Sequence, residues 1–164
     1  MEIRLANLED LTEIVDIYNQ AIHSGYQTAN TETFSVKQRL GWFNDHAPEK
    51  HPIFVAVKDS VITGYLSFSV YREGREAFSK TAEVSYYIDK NHRAKNIGTE
   101  LMQHAIALCP TLDIKTLVAM LIEGNQESIG LLEKFGFEKW GYLPNIAEFN
   151  GDETGHLYYG LRIP

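Results

Sequence analysis

Residues 81 to 109 constrain the fold most, because they pass from a two-residue period to a helical period across one polar loop. Residues 81 to 88 alternate, with Ala82, Val84, Tyr86 and Ile88 on one side and Thr81, Glu83, Ser85 and Tyr87 on the other. Apolar residues then recur at helical spacing from about residue 98 to residue 109. A strand with one apolar face, followed by a helix with an apolar stripe, predicts helices packed on a sheet.

The rest of the chain supplies further elements for such a sheet. Helices are predicted at about residues 8–23, 35–46 and 125–135, the first beginning after Asn7 and ending before Gly25. The helix at 35–46 would bury Val36, Leu40 and Phe43. Strands are predicted at residues 3–6, 53–57, 61–70, 117–121, 137–143 and 157–161. The order predicts an α+β fold in one domain, residues 1–164: a mostly antiparallel mixed sheet of about seven strands, with four helices on both faces.

Net charge disfavours polyanionic partners, and cysteine content indicates the cellular compartment. The formal net charge is −7 with a pI near 5.3, which disfavours binding to nucleic acid or to an anionic membrane. No apolar run reaches the roughly 20 residues of a spanning helix, and the N-terminus has no export signal. The single cysteine, Cys109, favours a reducing cytoplasm. We interpret Cys109 as a buried residue at a helix end, although a nucleophile is the alternative.

One short basic segment interrupts this acidic chain between the strand and the helix. Lys90, His92, Arg93 and Lys95 fall within six residues, just before the helix that begins near Gly98. The first N–H groups of a helix have no internal partners and carry a partial positive charge. A strand, a basic loop and a helix N-terminus together predict a site for a small phosphorylated ligand.

The residues of this loop resemble a family motif. Arg93-Ala94-Lys95-Asn96-Ile97-Gly98 is similar to the R/Q-x-x-G-x-G/A loop of the GNAT N-acetyltransferases, with Asn96 in place of a glycine. Asparagine is the residue that best tolerates a left-handed backbone after glycine. Residues 125–137, which begin with Asn125 and include Ser128, resemble the family's N-x-x-S-x-x-L…GF segment. The resemblance implies that acetyl-CoA binds the 93–98 loop, Asn125 and Ser128, whereas helix capping alone would explain only one of the last two.

A longer stretch is similar to one branch of that family. Residues 75–85 resemble the R-x-A-Y/F-x-x-T-x-E-x-S stretch of the phosphinothricin and methionine-sulfoximine acetyltransferases. The A-x-x-x-D-L pattern from Ala6 to Leu11 and the pair Thr31-Glu32 fit this branch as well. The resemblance implies a cytoplasmic homodimer that acetylates the amine of a small amino-acid-like compound.

Acetyl transfer requires a neutral amine, so a group must remove a proton from the ammonium form. Glu83 is the candidate base, because it lies on the alternating strand shortly before the loop, and its counterpart in the branch has this role. The alternative is an exposed or salt-bridged carboxylate. The resemblance also implies that backbone N–H groups of Ser85, Tyr86 and Tyr87 stabilise the tetrahedral intermediate. By the resemblance, Leu132 occupies the usual position of the general acid, so the thiolate leaves unassisted or takes its proton from Tyr87 or water.

Two arginines precede the Glu83 strand. By the resemblance, Arg75 and with it Arg72 would bind the acidic group of the acceptor, since an arginine fork matches a carboxylate or phosphinate. The alternative is that both are solvated and paired with Glu73 and Glu76. Near the C-terminus, Asp152 and Glu153 replace the basic and aromatic residues common in this branch, which leaves the identity of the acceptor open.

Other functions are compatible with parts of this pattern. The six histidines show no ligand spacing, so no metal site is expected. One alternative is an enzyme that acetylates a protein or peptide amine. Another is a non-catalytic acyl-CoA-binding regulator, which would tolerate Asn96 and Leu132 but has no need of Glu83. Amine-dependent turnover distinguishes an enzyme from the regulator.

Overall fold

The computed structural model describes residues 1–164 and arranges them around one seven-stranded sheet. The strands are β1 (Glu2–Leu5), β2 (Ile53–Lys58), β3 (Val61–Val70), β4 (Thr81–Ile88), β5 (Thr116–Ile122), β6 (Glu138–Phe149) and β7 (Asp152–Arg162). The helices are α1 (Leu11–Ser24), α2 (Val36–Asn44), α3 (Ile97–Leu108) and α4 (Gln126–Lys134). The prediction of an α+β fold with seven strands and four helices is confirmed.

The sheet order is β1-β2-β3-β4-β5-β7-β6, and every neighbouring pair is antiparallel except β4 and β5. The parallel pair is short, since it runs only from Thr81 opposite Thr116 to Glu83 opposite Val118. On its other edge β4 stays paired with β3 as far as Ile88, opposite Gly64. Beyond Glu83 the sheet therefore opens between β4 and β5, and the β4 backbone groups on that edge have no strand partner.

Two cores cover the two faces of the sheet. On one face α1 packs on β2 and β3 through Ile14, Ile17, Tyr18, Ile22, Ile53, Val55, Ile62 and Tyr65. On the other face the core of α3, α4 and β5 includes Leu101, Met102, Ala105, Leu117, Ala119 and Leu132. The β4 side chains divide between these faces as their alternation predicts: Ala82 and Val84 belong to the second core, while Tyr87 packs against the first. The prediction of helices on both faces is thus confirmed.

The ends of α1 and α2 lie close to their predicted positions, but the buried face of α2 differs from the prediction. Asn7 caps a 3-10 turn, Leu8–Asp10, that leads into α1, and Gly25 ends α1 at a φ of 81°. Ser35 caps α2 with a reciprocal bond to Gln38. The predicted buried face of α2 is wrong in part, because Val36 and Leu40 are exposed. Phe43 packs against the α1 core as predicted, and Trp42 packs there in place of Val36 and Leu40.

The last two strands are longer than predicted. β6 and β7 form a hairpin whose turn is Asn150-Gly151, with φ values of 53° and 90°. The expected strands covered only residues 137–143 and 157–161, because polar residues and Pro144 interrupt the pattern and the register shifts between Leu143 and Ala147. An Asn-Gly pair between strands is the local signal for such a turn. None of the helices combines the length and apolarity that crossing a membrane requires.

Candidate active site

Two hollows meet at the place where β4 and β5 separate. The loop cleft has a volume of about 470 Å³ and lies among the end of β4, the loop before α3, and α4. The Glu83 hollow has a volume of about 300 Å³ and lies on the α1–α2 face of the sheet. Tyr87 and Gln27 line both. A ligand in the cleft and a ligand in the hollow would therefore meet beside Tyr87.

The loop before α3 presents its backbone to the cleft. Ala94 and Asn96 adopt left-handed conformations with φ values of 58° and 61°, and Asn96 is the N-cap residue of α3. The Asn96 side chain makes no capping bond, so it does not occupy the first N–H groups of α3. Gly98 also lines the cleft, and a Cβ there would lie 3.0 Å from Cδ2 of Leu131. This geometry is a backbone cradle for an anionic group.

Side chains behind the loop hold it in place. Nδ1 of His92 lies 2.8 Å from Oδ1 of Asp89, whose other oxygen accepts a hydrogen bond from Gln20 at 2.9 Å. Burial would raise the pKa of Asp89, but hydrogen bonds from Gln20, His92 and the Asn91 N–H outweigh it, and the pKa is lowered. Nη2 of Arg93 donates to Gln27 at 3.1 Å, which ties the loop to the segment after α1. The loop is thus connected to both sides of the site.

The predicted pair on α4 lies at the same cleft. Asn125 is buried and caps α4 by accepting a hydrogen bond from the Ser128 N–H at 3.3 Å. The Ser128 carbonyl accepts a hydrogen bond from the Tyr86 hydroxyl at 3.3 Å, which joins α4 to β4 across the gap. Burial raises the pKa of Tyr86 to about 12, so this phenol stays a donor at neutral pH. Asn125 and Ser128 therefore combine a capping role with a position on the cleft wall.

Glu83 lies in the hollow on the other face. It is half-buried, and its carboxylate makes no salt bridge; no side-chain hydrogen bond holds it within the chain. Burial alone raises its pKa, because the charged form loses solvation without gaining a partner. The alternative of an exposed or salt-bridged carboxylate is not what the structure shows. An unpaired carboxylate with a raised pKa is suited to accept a proton.

Tyr87 forms the boundary between cleft and hollow. Its ring meets Tyr18 edge-on at a centroid distance of 5.0 Å and lies 5.4 Å from the ring of Tyr65. Burial raises its pKa well above the usual tyrosine range, and the neighbouring Tyr18 adds to this effect. The phenol therefore stays protonated at neutral pH and remains a hydrogen-bond donor.

The hollow also contains residues that the sequence did not indicate. Arg39 of α2 lines it, with its guanidinium carbon 4.1 Å from the centre of the Trp42 ring, 5.0 Å from Tyr18 and 5.2 Å from Phe34. Ser67 and Ser69 of β3 and His156 of β7 complete its polar wall together with Ser85, which the resemblance had indicated. Ser69 is within 3.3 Å of Nε2 of His46, whose Nδ1 meets the Trp42 carbonyl at 2.7 Å. No local motif reveals Arg39, Ser67, Ser69 and His156 as a group, because they come from three separate elements.

The family of the chain follows from a match over most of its length. Residues 11–137 match the model of the acetyltransferase (GNAT) family. The chain belongs to the GNAT family of acetyltransferases. The matched region includes α1, the whole β4–α3 loop and α4, so it contains both hollows except for the β7 side of the wall.

Several GNAT relatives are similar over nearly the whole chain. YwnH of Bacillus subtilis (strain 168), which has a provisional name as a phosphinothricin acetyltransferase, is 41% identical over 164 residues, with 99% of this chain and 96% of YwnH covered. An L-methionine sulfoximine/L-methionine sulfone acetyltransferase of Pseudomonas aeruginosa is 33% identical over 148 residues, covering 89% and 85%. The structure of yncA from Salmonella typhimurium with acetyl-CoA has a TM-score of 0.92 at 27% identity, covering 99% and 94%.

The structure brings most of the residues predicted from the GNAT resemblance together, but not all of them. Tyr86, Tyr87, Arg93, Ala94, Asn96, Ile97, Gly98, Asn125 and Ser128 line the loop cleft. Ser85 lines the Glu83 hollow instead, and Lys95 lines neither. Nζ of Lys95 donates to the Asn91 carbonyl at 3.0 Å, within the loop.

Three further residues of this GNAT chain lie away from the junction of the hollows. Arg72 and Arg75 line a third hollow with Lys50 and Phe78, separate from that of Glu83. Leu132 is fully buried in the α3–α4 core and has no proton to donate. No cluster of three or more histidine, cysteine, aspartate or glutamate side chains is arranged to hold a metal ion.

Proposed function

We propose that residues 1–164 act as a single catalytic domain that transfers an acetyl group from acetyl-CoA to the amine of a small amino-acid-like acceptor. The family membership supports the reaction, and the names of the Bacillus and Pseudomonas relatives support an acceptor of the phosphinothricin, methionine sulfoximine or methionine sulfone type. The observation that carries the proposal is the unpaired Glu83 in a hollow that joins the loop cleft at Tyr87.

The loop cleft has the chemistry to hold acetyl-CoA. The left-handed residues Ala94 and Asn96 turn the loop, and the uncapped start of α3 offers N–H groups to a pyrophosphate. Arg93 adds positive charge inside the cleft. Lys95 adds positive charge from outside the cleft, where its Nζ donates to the Asn91 carbonyl. Asn125 and Ser128 would line the opposite wall of the cleft, beside the pantetheine arm. Bound there, acetyl-CoA supplies the activated acetyl thioester.

Glu83 acts as the general base. An amine enters the hollow as an ammonium ion and has no lone pair for attack until it loses a proton. Because burial raises the pKa of Glu83, its carboxylate is a stronger proton acceptor than an exposed glutamate. Proton removal occurs directly or through one water, and activity rises with pH through the raised pKa.

The separated edge of β4 stabilises the charge on the acetyl oxygen. Backbone N–H groups in the Ser85–Tyr87 stretch that point away from β3 have no strand partner, since β5 is paired only as far as Glu83. Fixed donors of this kind are commonly the largest contribution to acyl-transfer rates. Tyr87, protonated and placed between the hollows, donates a hydrogen bond toward the departing thiolate, and water supplies the proton that Leu132 cannot.

Side chains outside the two hollows bear on acceptor attraction, on assembly and on the cellular compartment. Arg72 and Arg75 lie in a third hollow, outside that of Glu83. Their positive charge attracts acidic acceptors to a molecule whose net charge is negative. The exposed apolar side chains of β6, among them Trp140, Tyr142 and Ile146, suit the homodimer that we propose. Net charge and the single buried Cys109 fit a cytoplasmic enzyme that binds neither nucleic acid nor membrane.

The test is thiol release from acetyl-CoA by the purified chain with a panel of amines. The panel contains methionine sulfone, methionine sulfoximine, phosphinothricin, ordinary L-amino acids and short peptides, and mass spectrometry identifies each acetylated product. We expect turnover on free amino-acid-like amines. Turnover on peptides alone would favour a protein acetyltransferase. Acetyl-CoA binding without turnover on any amine would favour the non-catalytic regulator.

A further inference from the structure

Arg39 is the only lysine or arginine among the residues that line the Glu83 hollow. It comes from α2, an element that the sequence patterns did not connect with the site. The side chain is half-buried, so its charge is partly withdrawn from bulk solvent. A cation in a small hollow that also holds a catalytic carboxylate bears on which acceptor is bound.

Aromatic rings surround the Arg39 guanidinium. Trp42, Tyr18 and Phe34 all lie within 5.2 Å of its central carbon, measured to the ring centres. All three rings belong to the α1 core or its edge, and Trp42 is also one helical turn along α2 from Arg39. Cation–π contacts attract the charge but use the ring faces, so they occupy none of the five N–H donors of the guanidinium. The rings fix the position of Arg39 and leave its hydrogen-bonding capacity free.

No acidic side chain neutralises Arg39. The salt bridges of the chain join Arg4 to Asp10, Lys80 to Asp113 and His92 to Asp89. Glu83 lines the same hollow but lies beyond ion-pair distance of the guanidinium. The hollow therefore contains one unpaired cation and one unpaired carboxylate, which match the two charged groups of a zwitterion.

We propose that Arg39 binds the carboxylate of an amino-acid acceptor, while the amine of the same molecule is placed at Glu83. This inference rests on the proposed function and deepens it, because it assigns the acceptor a carboxylate and names the residue that selects it. A guanidinium matches a carboxylate with two parallel hydrogen bonds. Ser67, Ser69 and Ser85 supply uncharged hydrogen-bonding groups on the sheet side of the hollow.

The experiment compares a free amino acid with its carboxamide. The best acceptor from the amine panel and its carboxamide are each assayed by thiol release with wild type, Arg39→Gln and Arg39→Lys. We expect Arg39→Gln to lower kcat/KM for the free acid about 10- to 100-fold, mainly through KM, since a charge-assisted bond is lost. The carboxamide should change by less than about 3-fold, because it has no charge to lose. Arg39→Lys should fall between, since it keeps the charge without the planar fork.

Controls separate this role from a structural one. Lys37→Gln removes a positive charge from the exposed side of the same helix and should alter neither acceptor. Arg39→Met keeps the contact with the rings without the charge, and should reproduce the selective loss if Arg39→Gln is unstable. Equal loss on acid and carboxamide, or no loss on either, would overturn the role of Arg39 but leave the enzyme established. Absence of turnover by wild type on every amine would overturn the proposed function and this inference with it.

Discussion

Asn96 has a left-handed backbone, with φ at 61°, at the start of α3. A side chain at this conformation costs about 1–2 kcal/mol, which asparagine offsets best among residues other than glycine. The resemblance to a glycine-containing loop predicted this conformation, and the structure confirms it. What the sequence alone could not show is that Ala94 is left-handed too, because alanine has no local signal for φ above zero.

Substitutions at Asn96 should affect acetyl-CoA binding according to their tolerance of this backbone. We expect Asn96→Gly to keep the acetyl-CoA Kd within about 3-fold, whereas Asn96→Val should raise it about 10-fold, since 1.4 kcal/mol corresponds to a factor of ten. Isothermal titration measures both. Asn91→Val, in the same loop but at an ordinary φ, is the matched control. Equal affinities for the glycine and valine variants would show that the loop conformation does not govern binding.

Glu83, the proposed general base, should reduce the stability of the folded chain. Its pKa is raised in the folded chain, so the native state binds the proton more tightly than the unfolded state does. Stability therefore falls as pH rises from the ordinary glutamate pKa through the raised one. Glu83→Gln, neutral at every pH, should have a higher Tm than wild type, and the gap should be larger at about pH 8 than at about pH 5.

Thermal unfolding at the two pH values checks this prediction. A gain of about 1 kcal/mol would raise Tm by about 2–4 °C in a domain of this size. Glu138→Gln, an exposed carboxylate at the start of β6, is the control and should show no gap that grows with pH. A Tm for Glu83→Gln at or below that of wild type at the higher pH would contradict the burial of an unpaired charge.

At the scale of elements, the short pairing of β4 with β5 creates the site. Three registered pairs hold the strands together before they separate. The proposed base, Glu83, is in the last pair, and Tyr87 and the loop before α3 follow it along the chain. Alternation predicted which β4 residues share a face, because each face packs against a different core. Alternation could not predict where pairing with β5 ends, since that depends on the connection through α3.

The β6–β7 hairpin depends on glycines beneath aromatic rings. A Cβ added at Gly160 would lie 2.0 Å from Cε3 of Trp140, so the indole rests directly over the backbone of β7. Gly160→Ala should displace this ring and lower the free energy of unfolding by about 1–3 kcal/mol. Urea unfolding measures the change.

Gly130 offers a matched control for that substitution. It lies in α4 with no atom within 4 Å of an added Cβ, so Gly130→Ala should stabilise the chain by about 0.5–1 kcal/mol. If Gly160→Ala matched Gly130→Ala in sign, the packing of Trp140 on β7 would not contribute to the hairpin. The contrast separates crowding from a general effect of alanine.

Elements were predictable where one periodicity dominated and less so elsewhere. α1 and α3 have apolar stripes that matched their packing. The contacts of α2 were predicted correctly only at Phe43, because its packed face also includes Arg39 and Trp42. β6 carries mostly exposed side chains, so alternation of polarity gave no sign of its full length. The Asn150-Gly151 turn was the one local signal for the extension.

At the scale of the whole molecule, one chain places two chemically distinct hollows on opposite sides of a gap in its sheet. The loop cleft is built mainly from two short segments, within residues 86–99 and 125–131, which is why two sequence motifs indicated it. The Glu83 hollow combines residues of α1, α2, β3, β4, β5 and β7. Of the residues that line it, the sequence indicated only Glu83, Ser85 and Tyr87 as site residues. Prediction from sequence therefore reached the reaction before the acceptor.

The measurement that tests the account most directly is the turnover of Glu83→Gln on the best acceptor, with the acetyl-CoA Kd measured beside it. The account predicts that kcat falls about 100-fold or more, because general-base assistance is lost, while Kd stays within about 2-fold. Glu138→Gln should retain wild-type values for both quantities. A Glu83→Gln variant that kept kcat within a few-fold of wild type would contradict the assignment of Glu83 as the base.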